Sequence, residues 1–123
     1  MPIAFVLDEN LRGKPLWQAI RHHKPGGMPR VVATRVGDPT DLPLGSTDSD
    51  IVAWAAREDR VILTEDAATF PVALAAHLRL GLTSPGLFVI RPTATVAAIL
   101  SWLELVTADD QPGQWRDKVI YIP

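Results

Sequence analysis

The chain contains no cysteine, which excludes disulfide staples and thiolate metal sites and leaves oxygen or imidazole donors for any metal. Donors of that kind favour Mg²⁺ or Mn²⁺. A glycine-rich phosphate loop of the GxxxxGK or GxGxxG type is missing, as is a Gly-x-Ser-x-Gly elbow, so nucleotide-binding and serine-hydrolase readings lose their usual support. No apolar run approaches the roughly 20 residues of a membrane span, and Met1 to Leu7 is too short for a signal-peptide core and carries no basic leader. A cytoplasmic protein with no membrane partner is expected. Excess basic charge is lacking too: 12 Lys and Arg stand against 14 Asp and Glu, a net charge of −2. That balance argues against coating nucleic acid by neutralising many phosphates, and leaves room for a local basic patch.

What is present describes one globular unit. With 123 residues, 47% of them hydrophobic, the chain can bury one sizeable core, and a single domain over residues 1–123 is expected. Ile3 to Leu7 is a continuous apolar run, as in a strand covered on both faces, and it ends at the acidic loop Asp8-Glu9-Asn10. Pro15 suits a first helical turn, and Leu16, Ala19, Ile20 and His23 recur at helical spacing until Lys24-Pro25-Gly26-Gly27. Val31 to Val36 reads as a second strand, followed by a turn-rich loop from Gly37 to Gly45. Ser46-Thr47-Asp48 supplies helix N-cap candidates ahead of an amphipathic helix that ends before the strand Val61 to Thr64.

A helix with Pro71 near its start and Gly81 as C-cap comes next, then a strand at Leu87 to Ile90. Val96, Ile99, Leu100, Leu103 and Val106 mark the last helix, and Val119 to Ile122 a terminal strand. Apolar strands alternating with amphipathic helices predict an α/β protein: a three-layer α/β/α sandwich around a mainly parallel sheet of about five strands.

In open sheets of this class the ligand crevice lies beyond the carboxyl ends of the strands, where two predicted strands end in acids. Asp8 follows the first strand and Asp66 follows the third by two residues. If those strands are neighbours, the carboxylates lie within about one strand spacing, roughly 5 Å. Asp48 opens the helix leading into the third strand, where a helix N-terminus tolerates a carboxylate. Converging acids repel one another, and a divalent ion relieves that repulsion. Each has a plainer role open to it, as turn former for Asp8 and Asp66 or N-cap for Asp48.

Glu9 and Asp50 are secondary ligand or base candidates. Thr64, whose hydroxyl can hold Asp66 or a phosphate oxygen, Arg91 at a strand's carboxyl end, and Asn10 are the candidate substrate contacts. Arg12, Lys14 and Arg35 could join Arg91 in binding phosphates if loops bring them to the same rim, but an ordinary solvated face is their first reading, as it is for Arg21-His22-His23-Lys24, whose adjacent histidines point apart. Trp17, Trp54, Trp102 and Trp115 could stack on bases, but three fall in predicted helices, where packing is the ordinary role.

Taken together, Leu7-Asp8-Glu9-Asn10-Leu11, Asp48-x-x-Ile51-x-Ala53-x-Ala55 and Arg60 to Asp66 resemble the PIN-like family of small bacterial proteins. The resemblance extends to Thr69-Phe70-Pro71, Ser84-Pro85-Gly86 and Trp115 to Pro123, nearly the whole chain. It implies a PIN-type α/β fold and Mg²⁺- or Mn²⁺-dependent cleavage of RNA, often as the toxin partner of a small antitoxin. The implied partners are single-stranded RNA and an antitoxin protein, with a homodimer as a further option.

Residue by residue, Asp8 matches the family's first-strand acid, Asp48 its helix-opening acid and Asp66 the acid after the Thr-bearing strand, with Glu9 or Asp50 completing the shell. Many relatives place an Asp before the following Phe, where this chain has Thr69. That departure keeps a second reading in view, a catalytically inactive module that binds a protein through Trp102, Trp115 and the acidic loop. A receiver domain also carries an acidic pair after its first strand. Here no lysine closes a later strand at the crevice, since Lys118 precedes the last one.

Overall fold

A computed structural model describes residues 3–22, 30–109 and 113–123. Its strands are β1 (Ala4–Leu7), β2 (Val32–Arg35), β3 (Arg60–Thr64), β4 (Leu87–Ile90) and β5 (Val119–Ile122). The helices are α1 (Pro15–His22), α2 (Asp48–Glu58), α3 (Phe70–Arg79) and α4 (Val96–Ala108). His23 and the Lys24 to Gly27 stop lie outside the described residues.

The five strands form one all-parallel sheet in the order β2-β1-β3-β4-β5. A parallel strand needs cover on both faces, and this is why the central strands are apolar at successive positions and not at alternate ones. Phe5, Leu7, Val61, Leu63 and Phe88 face α1 and α4, in a core with Leu16, Trp17, Ile20, Ile99 and Leu103. Val6, Ile62, Leu87 and Val89 face α2 and α3, in a second core with Ile51, Trp54, Phe70 and Leu74. The result is the expected α/β/α layering. Among the described residues no helix is long and apolar enough to cross a membrane.

The order of the strands decides where a ligand belongs. From β1 the chain crosses to β2 on one side, whereas from β3 it proceeds to β4 and β5 on the other. The connections therefore diverge between β1 and β3, and their carboxyl ends flank a crevice. Leu7 pairs with Leu63, so Asp8 leaves the sheet level with Thr64.

Local differences from the sequence reading have local causes. Asp8-Glu9-Asn10 is not a plain loop. A 3₁₀ turn runs from Glu9 to Leu11, with Asp8 as N-cap accepting the Glu9 N–H at 2.7 Å. Strand β2 is one residue shorter than expected at each end, running Val32–Arg35. At α2 the N-cap is Thr47 and not Asp48: its hydroxyl accepts the Asp50 N–H at 3.1 Å, and the Asp50 carboxylate accepts the Thr47 N–H at 3.4 Å. This reciprocal capping box occupies Asp50 and leaves the Asp48 side chain, one residue into the helix, without a capping duty.

Candidate acidic site at the switch point

Asp8 is the buried member of the site, with 7% of its surface exposed. Its N–H continues the sheet by donating to Leu63 O at 2.9 Å. Its carboxylate is fixed on two sides, Oδ1 by the Glu9 N–H and Oδ2 by the Thr64 hydroxyl at 2.8 Å. Thr64 is fully buried, and its oxygen also accepts the Asp66 N–H at 3.0 Å. One hydroxyl therefore sets both the Asp8 carboxylate and the backbone of Asp66. Thr64 has no face open to solvent, and its hydrogen bonds go to the two acids.

Asp66 Oδ1 accepts the N–H groups of Ala68 and Thr69, each at 2.9 Å, an Asx turn that shapes the approach to α3. The Thr69 hydroxyl lies within hydrogen-bond reach of both Asp66 Oδ2 and Asp48 Oδ2. A hydroxyl carries one proton, so it can donate to only one of these oxygens at a time. Asp8, Thr64, Asp66, Thr69 and Asp48 thus form one connected polar network, drawn from the end of β1, the end of β3, the β3–α3 loop and the first turn of α2.

The electrostatics follow from that placement. Burial raises the Asp8 carboxyl above its ordinary value, opposed by the Thr64 and Glu9 hydrogen bonds and reinforced by the negative charges of Asp48 and Asp66. Asp66 is held below its ordinary value, first by the Thr69 hydroxyl and then by the Thr69 N–H. Among the described residues no Lys, Arg or His forms an ion pair with any of the three acids.

The other candidates are dispersed. Glu9 turns away, accepting the Gly45 N–H at 2.7 Å and so tying the 3₁₀ turn to the loop before α2. Asn10 is exposed on that turn. Arg91 is exposed just past β4, its guanidinium 5.8 Å from the Tyr121 ring. Lys14 lies 3.9 Å from Glu65, and Arg12 and Arg35 converge on Asp38. Trp17 and Trp54 are buried, and Trp102 and Trp115 pack edge-on against Phe88 and each other at 5.4–6.1 Å. All four are packing residues here.

A cavity of about 350 Å³ lies between the 41–46 loop and Trp54 and Arg57, away from Asp8 and Asp66. The residue that sequence reasoning passed over is Thr69, noted only as a departure. Its signal was the Asp-x-x-Thr spacing of an Asx turn opening a helix.

A hard divalent cation is the group whose fit needs testing. The donor chemistry suits one, with three carboxylates and no competing cation. The spacing does not fit one: among the described residues no group of three or more His, Asp or Glu side chains is placed to hold a metal ion. The Thr69 hydroxyl fills the gap between Asp48 and Asp66.

No protein-family model, no curated protein and no solved structure matches the chain. The strand order is also that of flavodoxin-type sheets. Fold alone therefore locates the crevice without naming what fills it.

Proposed function

We propose that the chain is a divalent-cation-dependent ribonuclease of PIN-like type acting on single-stranded RNA, with Asp8, Asp48 and Asp66 as the residues that would hold Mg²⁺ or Mn²⁺. The observation that supports this reading is the hydrogen-bond network through Thr64 and Thr69 that links three acids from three separate elements at the switch point, without an ion-paired cation among the described residues. A bound ion would supply Lewis-acid charge and a more acidic water.

The protein's own part is positional. Burial holds Asp8 rigid and makes its charge costly unless compensated, Thr64 keeps Asp8 and Asp66 in register, and Asp48 and Asp66 are the more accessible acids. The toxin role, the antitoxin partner and a cytoplasmic location rest on the family resemblance.

The test is cleavage of a fluorescent single-stranded RNA with Mn²⁺, with chelator, and by Asp8→Asn and Asp66→Asn variants shown to be folded. Cleavage is expected only from the wild type with metal. Undiminished cleavage by either variant, or in chelator, would refute the assignment. The position of Thr69 favours the rival reading, an inactive module that binds a protein, and that module predicts no Mn²⁺-dependent rise in melting temperature.

A further inference from the structure

Beside the acidic rim lies a cluster of opposite imbalance. Arg35 ends β2 and pairs in register with Leu7, the residue before Asp8. Arg12 closes the 3₁₀ turn that Asp8 opens, its N–H donating to Glu9 O at 3.1 Å. Both guanidiniums meet one carboxylate: Arg12 Nη1 donates to Asp38 Oδ1 at 3.0 Å, and Arg35 donates from Nε to Oδ2 at 2.9 Å and from Nη2 to Oδ1 at 3.3 Å. Two positive charges on one negative leave a net charge of +1. Arg35 is further immobilised over the Trp17 ring, 4.5 Å from its centroid, and Arg12 by the Val36 carbonyl at 2.8 Å.

The geometry points to Arg12 and Arg35, drawn together on Asp38 beside the acidic rim, as a binding site for a phosphate of a single-stranded nucleic-acid backbone. A guanidinium has five N–H donors. Each arginine spends two on described partners, and among the described residues no bond is made by the other three. The side chains are partly exposed, at 29% and 21%.

Planar forks held in place match phosphate oxygens and lose little freedom on binding. Carboxylates share the bidentate geometry, but an acidic peptide would lie against three uncompensated acids with nothing to gain from them. A nucleic-acid strand instead presents a second phosphate to the switch point, about one to two strand spacings away, roughly 5–10 Å. Choosing that ligand rests on the ribonuclease reading, although the binding itself needs no metal.

The experiment measures fluorescence anisotropy of a labelled single-stranded RNA of mixed sequence with the full chain in chelator, between about 50 and 200 mM salt. The Arg12→Gln/Arg35→Gln double variant should bind about tenfold or more weakly, with a log Kd against log salt slope reduced by about 1.4 for two lost contacts. Asp38→Asn should bind severalfold more tightly, a gain that no unfolding artefact produces. The double lysine variant should keep the slope.

An unchanged affinity and slope in the double glutamine variant, weaker binding by Asp38→Asn, no binding by the wild type at the lowest salt, or equal binding of an oligoglutamate of matched charge would each overturn the proposal. Binding that persists in a protein with no Mn²⁺-dependent cleavage would sink the ribonuclease reading and leave the phosphate site standing.

Discussion

Two charged clusters share the carboxyl edge of the sheet and are built on opposite terms. At the ends of β1 and β3, the Thr64 hydroxyl joins the Asp8 carboxylate to the Asp66 backbone and the Thr69 hydroxyl joins the Asp66 carboxylate to that of Asp48, with no ion-paired cation among the described residues. At the end of β2, two guanidiniums meet one carboxylate. In the second, Asp38 is held below its ordinary value, chiefly by the Arg35 hydrogen bond. In the first, Asp8 is pushed above its own by burial. A network serving stability alone would pair these charges with each other. Keeping them apart leaves one rim short of positive charge and its neighbour short of negative charge, as a backbone phosphate and a divalent ion together would require.

The contrast is broken most severely at the acids. Asp8→Asn or Asp66→Asn should lower Mn²⁺-dependent cleavage by more than the ~10–100-fold typical of groups that only orient a metal ligand, read from initial rates. Arginine variants at positions 12 and 35 should act mainly on KM. Next in size is the effect of the ion itself. At 100 times its Kd, Mn²⁺ should stabilise the wild type by about 2.7 kcal/mol, roughly 10 °C in melting temperature for a chain of this length. Asp66→Asn should show little of that rise, and a full rise in the variant would place the ion elsewhere.

Thr69→Val has a smaller and two-signed effect. It removes the hydroxyl that reaches both Asp48 and Asp66, so the metal-free protein should lose about 1 kcal/mol while Mn²⁺ binds severalfold more tightly, because that hydroxyl no longer has to give way. Weaker Mn²⁺ binding in a folded Thr69→Val protein would instead make Thr69 a ligand.

The smallest effect is a pH dependence in chelator. The folded state holds the Asp8 proton more tightly than the unfolded state does, so this group lowers stability as pH rises from its ordinary value through its raised one. Asp8→Asn should therefore gain on the wild type across that window and not below it. Asp66 is depressed, so its contribution is present above the ordinary carboxylate range and is lost as pH falls through its folded value. Chemical denaturation at stepped pH would read both trends.

The layered fold was legible because burial on both faces writes itself into composition. Leu87 to Ile90 is apolar and buried at every position, and its strand bounds agree with that reading; Val119 to Ile122 forms the strand expected but lies at the sheet edge, with Tyr121 exposed. The neighbourhood of Asp8 and Asp66 was legible only conditionally, since it depends on β3 pairing beside β1, a matter of strand order that no local pattern encodes. Thr47 displaced Asp48 as cap because a hydroxyl three residues before Asp50 completes a reciprocal bond pair, and both residue types compete for that position. Thr69 escaped notice because a neutral hydroxyl in a loop acquires meaning only from the distant Asp48 it reaches. The pairing of Arg12 with Arg35 likewise spans a turn and a strand crossing.

The register of β1 against β3 also governs when the site comes into being. The Thr64 clamp and the Asp66 neighbour of Asp8 come more than fifty residues after it in the chain. Pairing two parallel strands across that interval is among the slower events in folding. The acidic network is therefore incomplete in a growing chain until β3 and the turn after it have left the ribosome and docked, and any excursion that peels β3 from β1 parts Asp8 from Thr64 and from the acids beyond it.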